Sequence, residues 1–300
     1  MSLESRKFSG PDSGPHLLIT AGVHGDEYVP MQAVRELIIM LEQEELLRGS
    51  VTLVPVVNES AFSLGRRCGE DGLDLARTCP GKPDGSPTEQ TAHALTELIG
   101  RADHYIDLHS GGTELSVFPL AGYMLHSDRK ILETQRRMAK AFNLPLVWGT
   151  SGDLDGRSLS AARDAKVPAI YVEYLGGVEP CPEGIEACVD GCLNVMGALE
   201  LIDRAHDGPD VRETIEDTRP NAGFMQICNP APISGFFLPE VTLGQDVKSG
   251  DTLGHVCSAM GDESYEMKSA IDGMVVVLRG VPRVTEGESI GVVAERGHGP

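Results

Sequence analysis

Four short apolar runs punctuate the first 200 residues: His16 to Ala21 (HLLITA), Val51 to Asn58 (VTLVPVVN), His104 to His109 (HYIDLH) and Pro168 to Tyr174 (PAIYVEY). They are apolar and β-branched enough to read as strands buried on both faces. Between and after them, Val29 to Leu47, Thr88 to Arg101, Asp128 to Phe142 and Pro182 to Arg204 carry helical spacing. In the first of these, Val34, Leu37, Ile38 and Leu41 form one core-facing stripe. Strands alternating with helices predict an α/β sheet covered by helices.

The pattern changes after Arg204. Residues 205–220 (AHDGPDVRETIEDTRP) are charged, hold two prolines and lack an apolar period, so they read as a linker between a first domain, 1–204, and a second, 221–300. The second domain repeats itself. Ile233-Ser-Gly235 and Val247-Lys-Ser-Gly250 through Val256 recur 37 to 38 residues later as Ile271-Asp-Gly273 and Val284-Thr-Glu-Gly287 through Val293. Short strands with repeated glycine turns predict a small all-β unit of pseudo-twofold symmetry. It resembles the barrel-sandwich fold of biotinyl and lipoyl carrier domains.

Composition narrows the function. A formal net charge of −20 disfavours nucleic acid and anionic membrane surfaces as partners, because both are held through cations. No run reaches the ~18 apolar residues of a membrane span, and the first 15 residues lack the apolar stretch of a signal peptide, so a cytoplasmic protein is expected. Seven cysteines show no C-x-x-C pair and read as buried thiols of a reducing compartment. Cys188 and Cys192 share a helical face but make only half of a tetrahedral metal site.

Candidate chemistry gathers at strand ends. Gly22-Val-His24-Gly25-Asp26-Glu27 follows a strand and precedes a helix, the place where open α/β sheets put their sites. His24 and Glu27 can present an imidazole and a carboxylate to one metal ion; the alternative is a surface histidine and a glutamate that suits a helix start. His109 ends another strand before Gly111 and Gly112, as a third ligand or as a buried histidine bonded to backbone. Glu173 ends an apolar strand, where a bare charge would cost several kcal/mol unless paired, coordinated or functional. Between the histidines a glycine-rich loop carries Arg66, Arg67 and Arg77, which suit a substrate carboxylate or a solvated face.

In this order the pieces resemble the succinylglutamate desuccinylase and aspartoacylase family, a branch of the zinc carboxypeptidase-like fold. The residues that carry the resemblance are G-x-H-G-D-E at Gly22 to Glu27, Asn58, Arg66, D-L-x-R-x-x-P-G from Asp74 to Gly81, D-L-H-S at Asp107 to Ser110, and Val172-Glu173. The resemblance implies a mixed sheet flanked by helices, followed by the β-rich domain. It further implies one zinc ion held by His24, Glu27 and His109, Glu173 as general base, and Arg66 beside the oxyanion. Arg77 would take the carboxylate of the amino-acid half; Asn58 and Arg163 join it as substrate residues. The substrate would be a small N-acyl amino acid, and self-association stays open. Two residues depart from the family pattern: Ala76 replaces the asparagine of D-L-N-R, and Cys79 replaces an aromatic, which suggests a reshaped pocket. The lead before His16 is short, so a leading strand is not expected.

The reading that results is a zinc-dependent deacylase. A metallocarboxypeptidase on the same residues and an inactive binding relative are the alternatives. A carrier role for Lys268, in Glu266-Met267-Lys268, is disfavoured because Lys268 stands five residues before Gly273 rather than centred in a hairpin between the repeats. No G-x-S-x-G supports a serine hydrolase.

Overall fold

A computed structural model describes residues 3–179, 181–205, 211–219, 222–223, 225 and 228–295. Four parallel strands form its centre: β2 (Asp12–Ala21), β3 (Arg48–Val54), β4 (His104–His109) and β7 (Ala169–Leu175), in the spatial order β3, β2, β4, β7. The four expected strands are present. The second ends at Val54 rather than Asn58, because Pro55 offers no amide to continue the ladder.

The register shows how one sheet serves two purposes. Side chains alternate faces along a strand. Leu17, Ile19 and Ala21, with Ile106, Leu108, Ile170 and Val172, point into one buried cluster. It is closed by α1 (Tyr28–Leu41), α4 (Arg129–Phe142) and α6 (Pro182–Ala198). The intervening residues face the other way. There Leu18, Tyr105 and Ala169 pack under α3 (Pro87–Ile99) and α5 (Ser158–Ala165). Cys188 and Cys192 are fully buried in the first cluster, as small hydrophobes of α6.

Several expectations are corrected. A leading strand exists: β1 (Arg6–Ser9) pairs antiparallel with β3, from Arg6 against Leu53 to Ser9 against Ser50. The charged segment after Arg204 is not a bare linker, since β8 (Glu213–Glu216) pairs in parallel with β6 (Leu146–Thr150). Its buried Glu216 accepts hydrogen bonds from Tyr123 Oη and from the Arg136 guanidinium. Residues 206–210 and 220 of the expected linker lie outside the described residues. The long β5 (Leu115–Met124) was hidden by Pro119, which sits where the pairing with β7 shifts register between Val117 and Leu120.

The repeat forms an interlocked pair. β9 (Gly235–Pro239), β10 (Asp246–Val247) and β11 (Thr252–Cys257) match β13 (Gly273–Arg279), β14 (Arg283–Val284) and β15 (Gly291–Ala294). The first strand of each repeat pairs with its own third strand and with the second strand of the other. Gly250 and Gly287 turn the two copies at φ +94° and +85°, a region that disfavours other residues. This β unit also joins the main sheet, because Val277, Leu278 and Arg279 of β13 pair with Val117, Ser116 and Leu115 of β5. Lys268 ends β12 (Ser264–Lys268) and is ion-paired with Glu266, away from any hairpin tip between the repeats.

Candidate active site

The site lies at the carboxyl ends of β2, β4 and β7. Gly22, at φ +69°, turns the chain out of β2. Gly25 lets the loop touch the backbone of α2 (Glu59–Leu64), since a Cβ there would stand 2.0 Å from the Ala61 carbonyl carbon. The turn brings His24 and Glu27 back over the sheet, with Glu27 just before α1. His109 is the last residue of β4 and lies directly beside Glu173 in the parallel register with β7. Two residues back on the same face, Asp107 lies between Thr20 and Tyr171.

Three side chains converge. Nδ1 of His24 lies 2.6 Å from one Glu27 oxygen and Nδ1 of His109 lies 2.9 Å from the other. All three ligand atoms fall within 4.8 Å of one another, the one such grouping of three or more among the described residues. The outer nitrogens are oriented by carboxylates: His24 Nε2 is 3.1 Å from Asp74, and His109 Nε2 is 3.0 Å from Asp107. Asp107 is itself fixed by hydroxyls donated from Thr20 and Ser158. An imidazole whose far nitrogen is held by a carboxylate is the usual arrangement of a metal-ligating histidine. Two imidazoles and one carboxylate, with a side left open to a cavity, suit a catalytic zinc ion. Burial pushes Glu27 toward protonation, but His24 and His109 overcome it and hold the carboxyl at about 2.

Glu173 is different. Burial raises its pKa to about 8, the nearby His109 offsetting only part of the effect, and one buried oxygen has no hydrogen-bond partner among the described residues. It opens onto a cavity lined also by Arg67, Arg77, Arg157 and Tyr171. Three arginines therefore meet in one cavity of an acidic chain, Arg67 among them already paired with Asp74. Burial lowers the pKa of both Arg77 and Arg157, and the charge of Arg77 lowers Arg157 further.

Several expected site residues lie elsewhere. Arg66 is exposed and outside the cavity wall, whereas its neighbour Arg67 lines it and donates from Nε and Nη2 to Asp74, at 3.1 and 3.0 Å. Two adjacent arginines after a helix end cannot be told apart by spacing alone. Arg163 is also away from the cavity, tied to Asp155, Asp164 and the Gly152 carbonyl; Arg157, just before α5, lines the wall instead. Asn58 caps α2 by accepting from the Ala61 amide, and it does not line the cavity. Arg77 does line it, and so does Ala76. Cys79 is buried in the core under α3 and leaves the cavity shape to others. Asp107 was readable in advance: in D-L-H, the first and third residues share a strand face.

The cavity's outer wall comes from beyond the first 204 residues: Gly223, Met225 and Val277 of β13 line it beside Leu115 and Val117. The β unit therefore takes part in the site.

Comparison with known proteins identifies the family. The family model described as "Succinylglutamate desuccinylase/Aspartoacylase catalytic domain" matches residues 13–199. The chain belongs to that family. It is 32% identical over 291 residues to the N-alpha-acetyl-L-2,4-diaminobutyric acid deacetylase of Halomonas elongata, covering 94% of this chain and 82% of that one. Among solved structures, a family member from Rhodobacter sphaeroides aligns with a TM-score of 0.86 at 27% identity, over 97% of this chain and 87% of that one. The product-bound ectoine utilization protein EutE (DoeB) from Ruegeria pomeroyi aligns at 0.84 and 26%, over 95% and 87%. The likeness to these relatives extends past residue 199, so it includes the β unit. Among the described residues no helix is long and apolar enough to cross a membrane.

Proposed function

We propose that this protein is a zinc-dependent amidohydrolase that removes a short acyl group from the amino group of an amino acid. The observation that carries the reading is the convergence of His24, Glu27 and His109 next to a buried Glu173, one oxygen of which has no hydrogen-bond partner among the described residues. Bound between those three ligands, zinc would supply Lewis acidity toward the acyl carbonyl and toward water.

The chain's own residues supply the rest. Glu173, beside His109 at the cavity wall, takes a proton from the attacking water and gives it to the departing amine. Arg67 is held by Asp74 beside the His24 ligand, and donates to the carbonyl oxygen as negative charge develops there. Arg77 and Arg157 hold the substrate carboxylate, which neutralises their mutual repulsion. The apolar wall of Leu115, Val117, Met225 and Val277 excludes water and accepts an uncharged acyl or aliphatic group. All seven cysteines are unpaired, which fits a protein of the reducing cytoplasm.

The test has two arms. Elemental analysis of the purified protein should return about one zinc per chain, lost in His109→Ala. A panel of N-acyl amino acids, including N-acetyl-L-2,4-diaminobutyrate, N-acetyl-L-aspartate and N-succinyl-L-glutamate, is then run beside short peptides. Hydrolysis of the acyl amino acids supports a deacylase. Hydrolysis confined to peptides would make the protein a carboxypeptidase, and zinc binding with no hydrolysis of either class would make it an inactive relative.

A further inference from the structure

One polar group in the cavity has no work in this scheme. Tyr171 lines the cavity from β7, two residues before Glu173 on the same strand face. Its ring packs against two apolar clusters at once, that under α3 and α5 and that shared by β5, β6 and β13. Cross-strand from it stands Gly122 of β5, where a Cβ would lie 2.2 Å from the tyrosine ring. The ring thus fills the space a side chain at 122 would need. Yet its hydroxyl has no hydrogen-bond partner among the described residues, unlike the buried Tyr105 and Tyr123, which bond to Thr20 and Glu216. A phenol at a binding surface normally uses its hydroxyl.

We propose that the Tyr171 hydroxyl contacts substrate, donating a hydrogen bond to the same carboxylate that Arg157 holds and so selecting acyl amino acids over acyl amines. Arg157 and Tyr171 line the same cavity, and each acts on the other's ionisation. Position fits as well: Tyr171 and Glu173 line the cavity from one strand, two residues apart on the same face. The inference rests on the deacylase reading but does not follow from it, because Arg77 and Arg157 alone would satisfy a carboxylate.

The experiment is Tyr171→Phe, which removes one oxygen and keeps the ring over Gly122, so the melting temperature should not move. N-acetyl-L-2,4-diaminobutyrate is the substrate, and N-acetyl-1,3-diaminopropane, the same molecule without its carboxylate, is the competing inhibitor. If the panel returns a different acyl amino acid, the pair is built from that one in the same way. The expected result is a KM raised about 10- to 100-fold, with kcat changed far less, and a Ki for the acyl amine within about twofold of wild type. An unchanged KM, or equal losses on both compounds, would overturn the role of Tyr171. A wild-type enzyme that hydrolyses no acyl amino acid would overturn the underlying reading instead.

Discussion

The two faces of the central sheet are built from the same strands and obey opposite rules. On the face under α1, α4 and α6, β4 contributes Ile106 and Leu108, and β7 contributes Ile170 and Val172, all fully buried and apolar. On the other face the same strands contribute Tyr105, Asp107 and His109, and Ala169, Tyr171 and Glu173. That face changes character along its length, from core under α3 and α5 to the carboxylate of Asp107 to the imidazole of His109 beside the buried Glu173. The contrast teaches that stability and chemistry are separated by the strand's period of two, one residue apart in sequence and on opposite sides in space.

Neighbouring substitutions should break this comparison cleanly. The largest effect is expected for His109→Ala, which should lose the bound metal and essentially all activity, measured by elemental analysis and turnover. Glu173→Gln should lower kcat by about 10² to 10⁴ while metal content stays at wild type. Removing a buried, unpartnered carboxyl should leave the melting temperature unchanged or raised. Leu108→Ala, between Asp107 and His109, should do the reverse: about 2 to 5 kcal/mol less stable by denaturant unfolding, with metal bound and kcat near normal below the transition. A mutant at 108 that stays stable and loses its metal would contradict the separation of faces.

Smaller effects sharpen it. Arg67→Ala should cost about tenfold to several-hundredfold in kcat/KM, whereas exposed Arg66→Ala should stay within about 0.5 kcal/mol in stability and leave turnover alone. The smallest concerns acid stability. Asp71 accepts hydrogen bonds from the Ser86 and Thr88 hydroxyls and from the Thr88 and Leu73 amides. Burial works against its ionisation, but these bonds draw its pKa from 3.8 to about 2. Its folded-state pKa is depressed, so its contribution is present above pH ~4 and lost as pH falls toward ~2. Asp71→Asn should flatten that limb, by on the order of 1 kcal/mol given its exposure to solvent.

Much of this was legible because the signals are local. Glycine turns at strand ends, the spacing of His24 and Glu27, and the run Asp107-Leu108-His109 each lie within one element and its adjoining turn. The β repeat was legible for the same reason, as identical turn chemistry occurring twice. What escaped was pairing at long range. β1 and β8 are polar edge strands without an apolar signature, and β5 carries a proline at its bulge. Arg66 was favoured over Arg67, and Arg163 over Arg157, because a loop's direction is not encoded in spacing.

The sequence by itself determined the α/β order, the family and which polar side chains stand at the strand ends, since short-range periodicity and local turns fix which face a side chain occupies. Only the tertiary structure decided which arginines enter the cavity, that Asp74 and Asp107 orient the two histidines, and that Met225 and Val277 complete the wall. Those depend on segments far apart in the chain meeting at one strand edge, and the packing energy that brings them together is a property of the whole sheet rather than of any window of sequence.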